Sequence, residues 1–232
     1  MTVIALHGCK QAPGVTTLTL ALGTALDPDG GAVVIEADPH GGDLSALLGR
    51  PPTLGWVSLA AAGRHGGSID FDAHLQALPA GGRALFAPAE PTQTDAALRS
   101  MSDRVVDLAA RAGRHVVVDR GRSLEPIAEA DAVILVCHPT VAGVEQARVR
   151  VDLLDTGSAM VVVAISAAGP YRFEEVSAVL GRPVLGPIPR DERGVNALVG
   201  LRRHARRSPL VRFAASVVDE LRTHDGIQEL MW

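Results

Sequence analysis

Ten residues near the start of the chain, Gly8-Cys-Lys-Gln-Ala-Pro-Gly-Val-Thr-Thr17, have the composition of a phosphate-binding loop. They follow an apolar run and precede Leu18-Thr-Leu-Ala-Leu22, which reads as a helix. A loop that opens a helix presents free backbone N–H groups and the positive end of the helix dipole, and both stabilise an anion. The phosphate-cradling pattern G-x-x-x-x-G-K-[ST] adds a lysine that grips phosphate and a hydroxyl that binds Mg²⁺. Here Gly14 and Thr16 supply the second glycine and the hydroxyl, while Cys9 stands at the first glycine and Val15 at the lysine. A charged hydrogen bond is worth about 1.5–3 kcal/mol, so losing that lysine is expected to weaken nucleotide binding roughly ten- to a hundredfold. Pro13 has no N–H to offer either.

Acidic residues end two other apolar runs. Val33-Val-Ile-Glu-Ala-Asp-Pro39 carries Glu36 and Asp38, and His115-Val-Val-Val-Asp119 leads into Arg120-Gly121. Carboxylates at the ends of buried strands can hold a metal or orient water. They also cap turns, as Thr16 could cap the helix, and Lys10 could be an ordinary solvated loop residue. A dinucleotide site is a weaker reading: Glu36 lies at a suitable distance from Gly14, but G-x-G-x-x-G is absent from the loop.

Taken in order, these motifs resemble the ParA/MinD family of deviant-Walker P-loop ATPases, whose loop reads K-G-G-x-G-K-[ST]-[ST]. Lys10 matches its signature lysine, Gly14 its third glycine, and Thr16 and Thr17 its paired hydroxyls; Gln11 and Ala12 replace two glycines and Val15 the second lysine. The Glu36–Pro39 stretch is similar to the family's hhhhDxDP, with Glu36 at the first Asp, and Asp119 to its Walker B acid. Ala130-Asp-Ala-Val-Ile-Leu-Val136, Pro139-Thr-Val-Ala-Gly-Val144 and Pro183-Val-Leu-Gly-Pro-Ile-Pro-Arg-Asp191 continue the match.

The resemblance implies ATP or ADP with Mg²⁺ as ligands. Lys10, Gly14, Val15, Thr16 and Thr17 would line the phosphates. Thr16 would ligate Mg²⁺, Asp119 would hold it through water, and Asp38 would orient the attacking water. Lys10 would reach across a homodimer to the partner's phosphates. The implied function is a nucleotide-dependent dimerising switch for spatial positioning, in partitioning, division-site or secretion/pilus placement, acting with a protein partner. With Val15 in the loop the expectation is weakened ATP binding and slow or lost hydrolysis, a pseudo-ATPase. Activity survives only if Lys10 replaces the missing lysine in cis or in trans. The family reads adenine with an Asn after a late strand, where this chain has Ala164-Ile-Ser-Ala-Ala168. The alternative is a nucleotide-free adaptor that keeps only the fold.

Positioning such a loop takes a sheet. Seven β-branched runs, at 2–7, 31–37, 83–87, 115–119, 132–137, 159–165 and 184–188, alternate with helical stretches at about 16–26, 43–48, 94–112, 141–154, 173–181, 191–200 and 209–223. The alternation predicts an α/β doubly wound, mostly parallel sheet with helices on both faces. Ligands bind beyond the carboxyl ends of such strands, where the loop and the acids fall. The 232 residues suit a single domain, 1–232, with an irregular insertion at about 49–82. That insertion reads either as a lid or partner-binding segment or as a surface connection with one short helix.

The formal net charge of −4 argues against a generally nucleic-acid-binding cation. Residues 194–218 nevertheless hold Arg202, Arg203, Arg206, Arg207 and Arg212 and no acid, a face that could grip nucleic acid phosphates without sequence preference or simply be solvated. Cys9 and Cys137 lie far apart in the chain and form no CxxC pair, which suits a reducing cytoplasm. No apolar stretch approaches membrane-spanning length. Of 22 basic residues, 21 are arginine and Lys10 is the one lysine.

Overall fold

The computed structural model describes residues 1–10, 14–28, 31–65, 68–155, 157, 159–166 and 169–229. Its elements in chain order are β1 (Val3–Gly8), α1 (Val15–Ala25), β2 (Ala32–Glu36), α2 (Leu44–Leu47), α3 (Trp56–His65), β3 (Gln76–Ala77), β4 (Arg83–Leu85) and α4 (Pro91–Arg111). There follow β5 (His115–Asp119), β6 (Ala132–Cys137), α5 (Val141–Leu154), β7 (Met160–Ile165), α6 (Phe173–Leu180), β8 (Val184–Leu185), α7 (Glu192–Leu198) and α8 (Pro209–Glu229). The sheet order is β3-β4-β2-β5-β1-β6-β7-β8. Every pairing is parallel except β3 with β4, which is antiparallel.

The apolar runs explain this order. Every residue of β1, β2 and β6 is buried, as strands covered on both faces require. Alternate side chains serve two cores. One holds Val3, Ala5, Val33, Val116 and Val133 with residues of α3, α4, α5 and α6. The other holds Ile4, Leu6, Val34, Val117 and Ile134 with residues of α1, α7 and α8. Helix α8 packs here, with Leu210, Ala214, Val217, Val218 and Leu221 all buried.

Eight strands replace the expected seven. The extra one, β3, is two residues of half-polar edge, too short to leave a period in the sequence. The segment 49–82 is also more ordered than its glycines and prolines suggest. It contains α3, a 3-10 turn at Phe71–His74 and β3. Trp56, Leu59, Phe71 and Leu75 are buried in the first core. Helix α4 begins at Pro91, three residues earlier than the apolar period, because Glu90 accepts hydrogen bonds from the N–H groups of Thr92 and Gln93 and proline tolerates the first helical position.

Candidate functional site

The chain leaves central β1 for β2 on one side, comes back through β5, and crosses β1 to β6 on the other. The carboxyl ends of β1, β2 and β5 therefore surround one crevice, where such sheets bind ligands. A cavity of about 480 Å³ lies there, lined by Cys9, Gly14, Val15, Thr16, Thr17, Asp38, Asp43, Leu47, Gly121 and Arg122. Residues far apart in the chain, named from sequence as Gly14, Val15, Thr16, Thr17 and Asp38, meet in it.

Gly14 is the N-cap of α1, with φ 103°, a left-handed conformation that favours glycine. It accepts the helix's first hydrogen bond through its carbonyl, from Leu18 N–H at 2.8 Å. Gly14 offers no side chain to cap the helix, and no acid sits in its first turn. Among the described residues, the first N–H groups of α1 are thus left without a side-chain cap. Thr16 is not the cap. It lies in the first turn, and its hydroxyl is near enough to the Asp119 carboxylate at the end of β5 to lower that group's pKa. A hydroxyl and a carboxylate side by side are the hard oxygen donors that Mg²⁺ prefers.

Asp119 is buried, and its Oδ1 also accepts from Gly121 N–H at 2.9 Å. Burial pushes its carboxyl up to about 6, against the Thr16 and Gly121 hydrogen bonds and with help from the charges of Asp38 and Asp43. Asp38 is half-buried and accepts from His40 N–H and faces His40 Nδ1, both at 2.9 Å from Oδ1. Its other oxygen lies over Gly121, where a Cβ would fall 1.8 Å from Oδ2. Glycine at 121 is therefore what lets the two acidic strand ends approach. Lys10 is exposed and makes no ion pair among the described residues. Gln11, Ala12 and Pro13 lie outside the described residues.

Two positions behave differently from their sequence appearance. Val15, at the place of the missing lysine, is 7% exposed and its side chain joins the second core, so toward an anion it has only its backbone N–H. Glu36, at the place of an acid in the motif, points away from the cavity's loop. Its Oε1 accepts from Asp43 N–H and Leu44 N–H at 2.6 and 2.8 Å, and its Oε2 from Ala87 N–H at 2.9 Å. It ties β2 to the start of α2 and to the segment after β4. Burial pushes this carboxyl up to about 7 despite the three donors.

A second cavity, of about 680 Å³, shares Gly14 and Thr17 with the first. His138, Ser166, Ile188, Pro189, Asp191 and Asn196 are among its walls. Ser166 Oγ and His138 Nδ1 are 2.7 Å apart. Asn196 and this pair escaped sequence reasoning, which looked for an asparagine only within 164–168; Ala167 and Ala168 lie outside the described residues. In the arginine-rich segment, Arg202, Arg203 and Arg207 are exposed, whereas Arg206 is turned back onto the carbonyl and carboxylate of Asp27. Cys9 and Cys137, far apart in the chain, come together in the fold, because β1 and β6 are neighbours in register as far as Gly8 and Val136.

Below the crevice, His7 is fully buried, with Nδ1 2.8 Å from the Ser123 carbonyl. Burial pulls its pKa down to about 4, opposed by that hydrogen bond and assisted by the charges of Arg120 and Arg150. A depressed folded-state pKa means that the unfolded chain takes up the proton first. The neutral ring's contribution is complete above the unfolded value of 6.5 and is lost as pH falls toward 4. Glu36 and Asp119, both raised, run the other way and cancel when two proteins sharing them are compared. On going from pH 7.5 to 4.5, His7→Gln is expected to gain about 2–3 kcal/mol of unfolding free energy relative to wild type. Urea titrations at the two pH values check this, and a constant difference between the proteins excludes it.

No protein-family model and no curated protein matches the sequence. Solved structures do match. A ParA family ATPase from Chlorobium tepidum TLS is 17% identical with TM-score 0.74, over 93% of this chain and 96% of that one. A chain of the MinC:MinD cell division protein complex of Aquifex aeolicus is 19% identical with TM-score 0.67, over 94% and 96%. Cobyrinic acid a,c-diamide synthase from Mycobacterium smegmatis, with bound ATP analogue and magnesium, is 20% identical with TM-score 0.64, over 97% of each chain. At such identities the likeness shows the fold, that of the ParA/MinD-like P-loop ATPases. Among the described residues no helix is long and apolar enough to cross a membrane.

Proposed function

We propose that this chain is a nucleotide-dependent dimerising switch of the ParA/MinD type, acting in spatial positioning, with weakened ATP binding and slow or lost hydrolysis. The observation that carries the reading is the N-terminus of α1, begun by Gly14 without a side-chain cap, opening on the same cavity as Thr16 and Asp38, with Asp119 beside Thr16. Fold alone would not suffice, since a biosynthetic synthase shares it.

In this reading the first-turn N–H groups of α1 hold the β- and γ-phosphates and the base lies in the adjoining cavity between His138, Ser166 and Asn196. Thr16 and Asp119 hold Mg²⁺, which when bound neutralises phosphate charge. Asp38 orients water at the γ-phosphate. Val15 supplies no charge, so transition-state stabilisation falls to Lys10, from the same chain or from the second protomer of a homodimer. The compact ammonium of a lysine suits phosphate as a point charge. MinD occurs in a complex with MinC, and a protein partner in the cytoplasm is proposed here too. Arg202, Arg203 and Arg207 offer a surface for non-specific nucleic acid; Arg206, engaged by Asp27, contributes less.

Calorimetry with ATP and ADP, with and without Mg²⁺, tests the proposal alongside sedimentation of the same samples. Wild type is expected to bind Mg-ATP with a dissociation constant below millimolar and to dimerise with it. Lys10→Ala is expected to weaken that binding at least tenfold, the value of one charged hydrogen bond. No binding at millimolar nucleotide sinks the proposal. It would favour a second reading, a nucleotide-free adaptor, to which the core packing of Val15 already lends support.

A further inference from the structure

Two free cysteines meet at the base of the loop. Strands β1 and β6 pair in parallel with His7 opposite Leu135 and Gly8 opposite Val136. The next pair in register is Cys9 and Cys137, and Cys9 N–H donates to the Val136 carbonyl at 2.8 Å. Both side chains turn to the same face of the sheet, into the first core, close enough for each thiol to shift the pKa of the other. Adjacent strands lie about 4.8 Å apart, within the roughly 4.4–6.8 Å Cα separation that a disulfide spans.

Access is one-sided. Cys137 is sealed in the core, whereas Cys9, though only 1% exposed, is a wall of the 480 Å³ cavity. Of the two thiols, Cys9 is therefore the one nearer to a solute in that cavity. The neighbouring Cys137 thiol draws the Cys9 thiol below its ordinary pKa, and burial with Cys9 beside it pushes Cys137 above its own. The uncapped N-terminus of α1, on the same cavity, favours negative charge there as well.

We propose that Cys9 and Cys137 form a reversible oxidation site, in which a hydroperoxide entering the cavity converts the two thiols into an intramolecular disulfide. The Cys9 thiolate attacks the peroxide; an S–O bond forms as the O–O bond breaks, giving Cys9 sulfenic acid and releasing alkoxide or hydroxide. The Cys137 sulfur then attacks the Cys9 sulfur, expelling hydroxide that leaves as water with the Cys137 proton. Two electrons pass from the two thiols to one peroxide. The bond staples the strand that feeds the Lys10–Gly14 loop to its neighbour. The site stands on strand register and the cavity, whether or not that cavity binds nucleotide.

The test uses the full chain, reduced and then treated with hydrogen peroxide, denatured, alkylated and weighed intact. Wild type is expected to lose both alkylatable thiols and about 2 Da, and to recover both with dithiothreitol. Cys137→Ser is expected to accumulate a Cys9 sulfenic acid that dimedone traps. Cys9→Ser is expected to keep its remaining thiol unoxidised at the same dose, both serine variants being checked for folding by circular dichroism. The proposal is overturned if wild type keeps both thiols at doses that consume free glutathione, or if the disulfide forms between chains. Equal reactivity of the two serine variants would overturn the assignment of Cys9 as the attacked residue.

Discussion

Glu36→Ala is expected to lower the free energy of unfolding by about 3 kcal/mol or more. Three backbone donors, from Asp43, Leu44 and Ala87, converge on this one carboxyl. Each buried N–H left without a partner costs about 1–3 kcal/mol, and the removed side chain leaves a void. Relief from burying a carboxyl, whose pKa stands at about 7, offsets only part of this. The loss has a local face as well. The carbonyl of Glu36 accepts the Trp56 indole N–H, so the residue joins α2, α3 and the segment after β4 to the strand that carries Asp38. A lowered urea midpoint with an unchanged slope is the expected signature; an unchanged midpoint would show that water entering from the cavity replaces the carboxyl.

Val15→Lys is expected to tighten Mg-ATP binding roughly ten- to a hundredfold, the inverse of the penalty read from the loop. The valine is a wall of the cavity as well as a member of the core. A lysine stem can therefore keep part of the apolar contact while its ammonium extends over the end of α1. Lost burial is expected to cost about 1–3 kcal/mol of stability, which a thermal melt reports independently of the titration. A folded Val15→Lys protein with unchanged affinity would show that the loop is not a phosphate cradle. If Lys10 has taken over the missing charge, the effect of Lys10→Ala should shrink in the Val15→Lys background, because the two ammonium groups then serve one phosphate.

What could be read from the sequence divides along physical lines. β1, β5, β6 and β7 announced themselves because both faces of each are covered, which leaves almost unbroken apolar runs. Gly14, Thr16 and Thr17 were legible because a loop and the helix it opens are contiguous in the chain. Asp38 and Asp119 were legible as acids at strand ends. Within 49–82 a short helix was one of the two readings, and α3 turns Trp56, Leu59 and Ala60, at helical spacing, into the first core. The brace made by Glu36 was hidden because two of its donors lie just beyond the motif and the third belongs to Ala87, in the segment after β4 and far away in the chain. The cysteine pair could have been found by setting the carboxyl ends of β1 and β6 side by side, since Cys9 directly follows β1 and Cys137 ends β6.

The two outermost strands, β3 and β8, are each two residues long. An edge that short presents hardly any free backbone donors and acceptors, so it cannot template the addition of another chain. The apolar centre of the sheet is thereby shielded from runaway strand pairing and fibril growth. Self-association of this protein must then be a matter of side chains meeting across surfaces, which can be reversed by a ligand, rather than of one sheet continuing into the next.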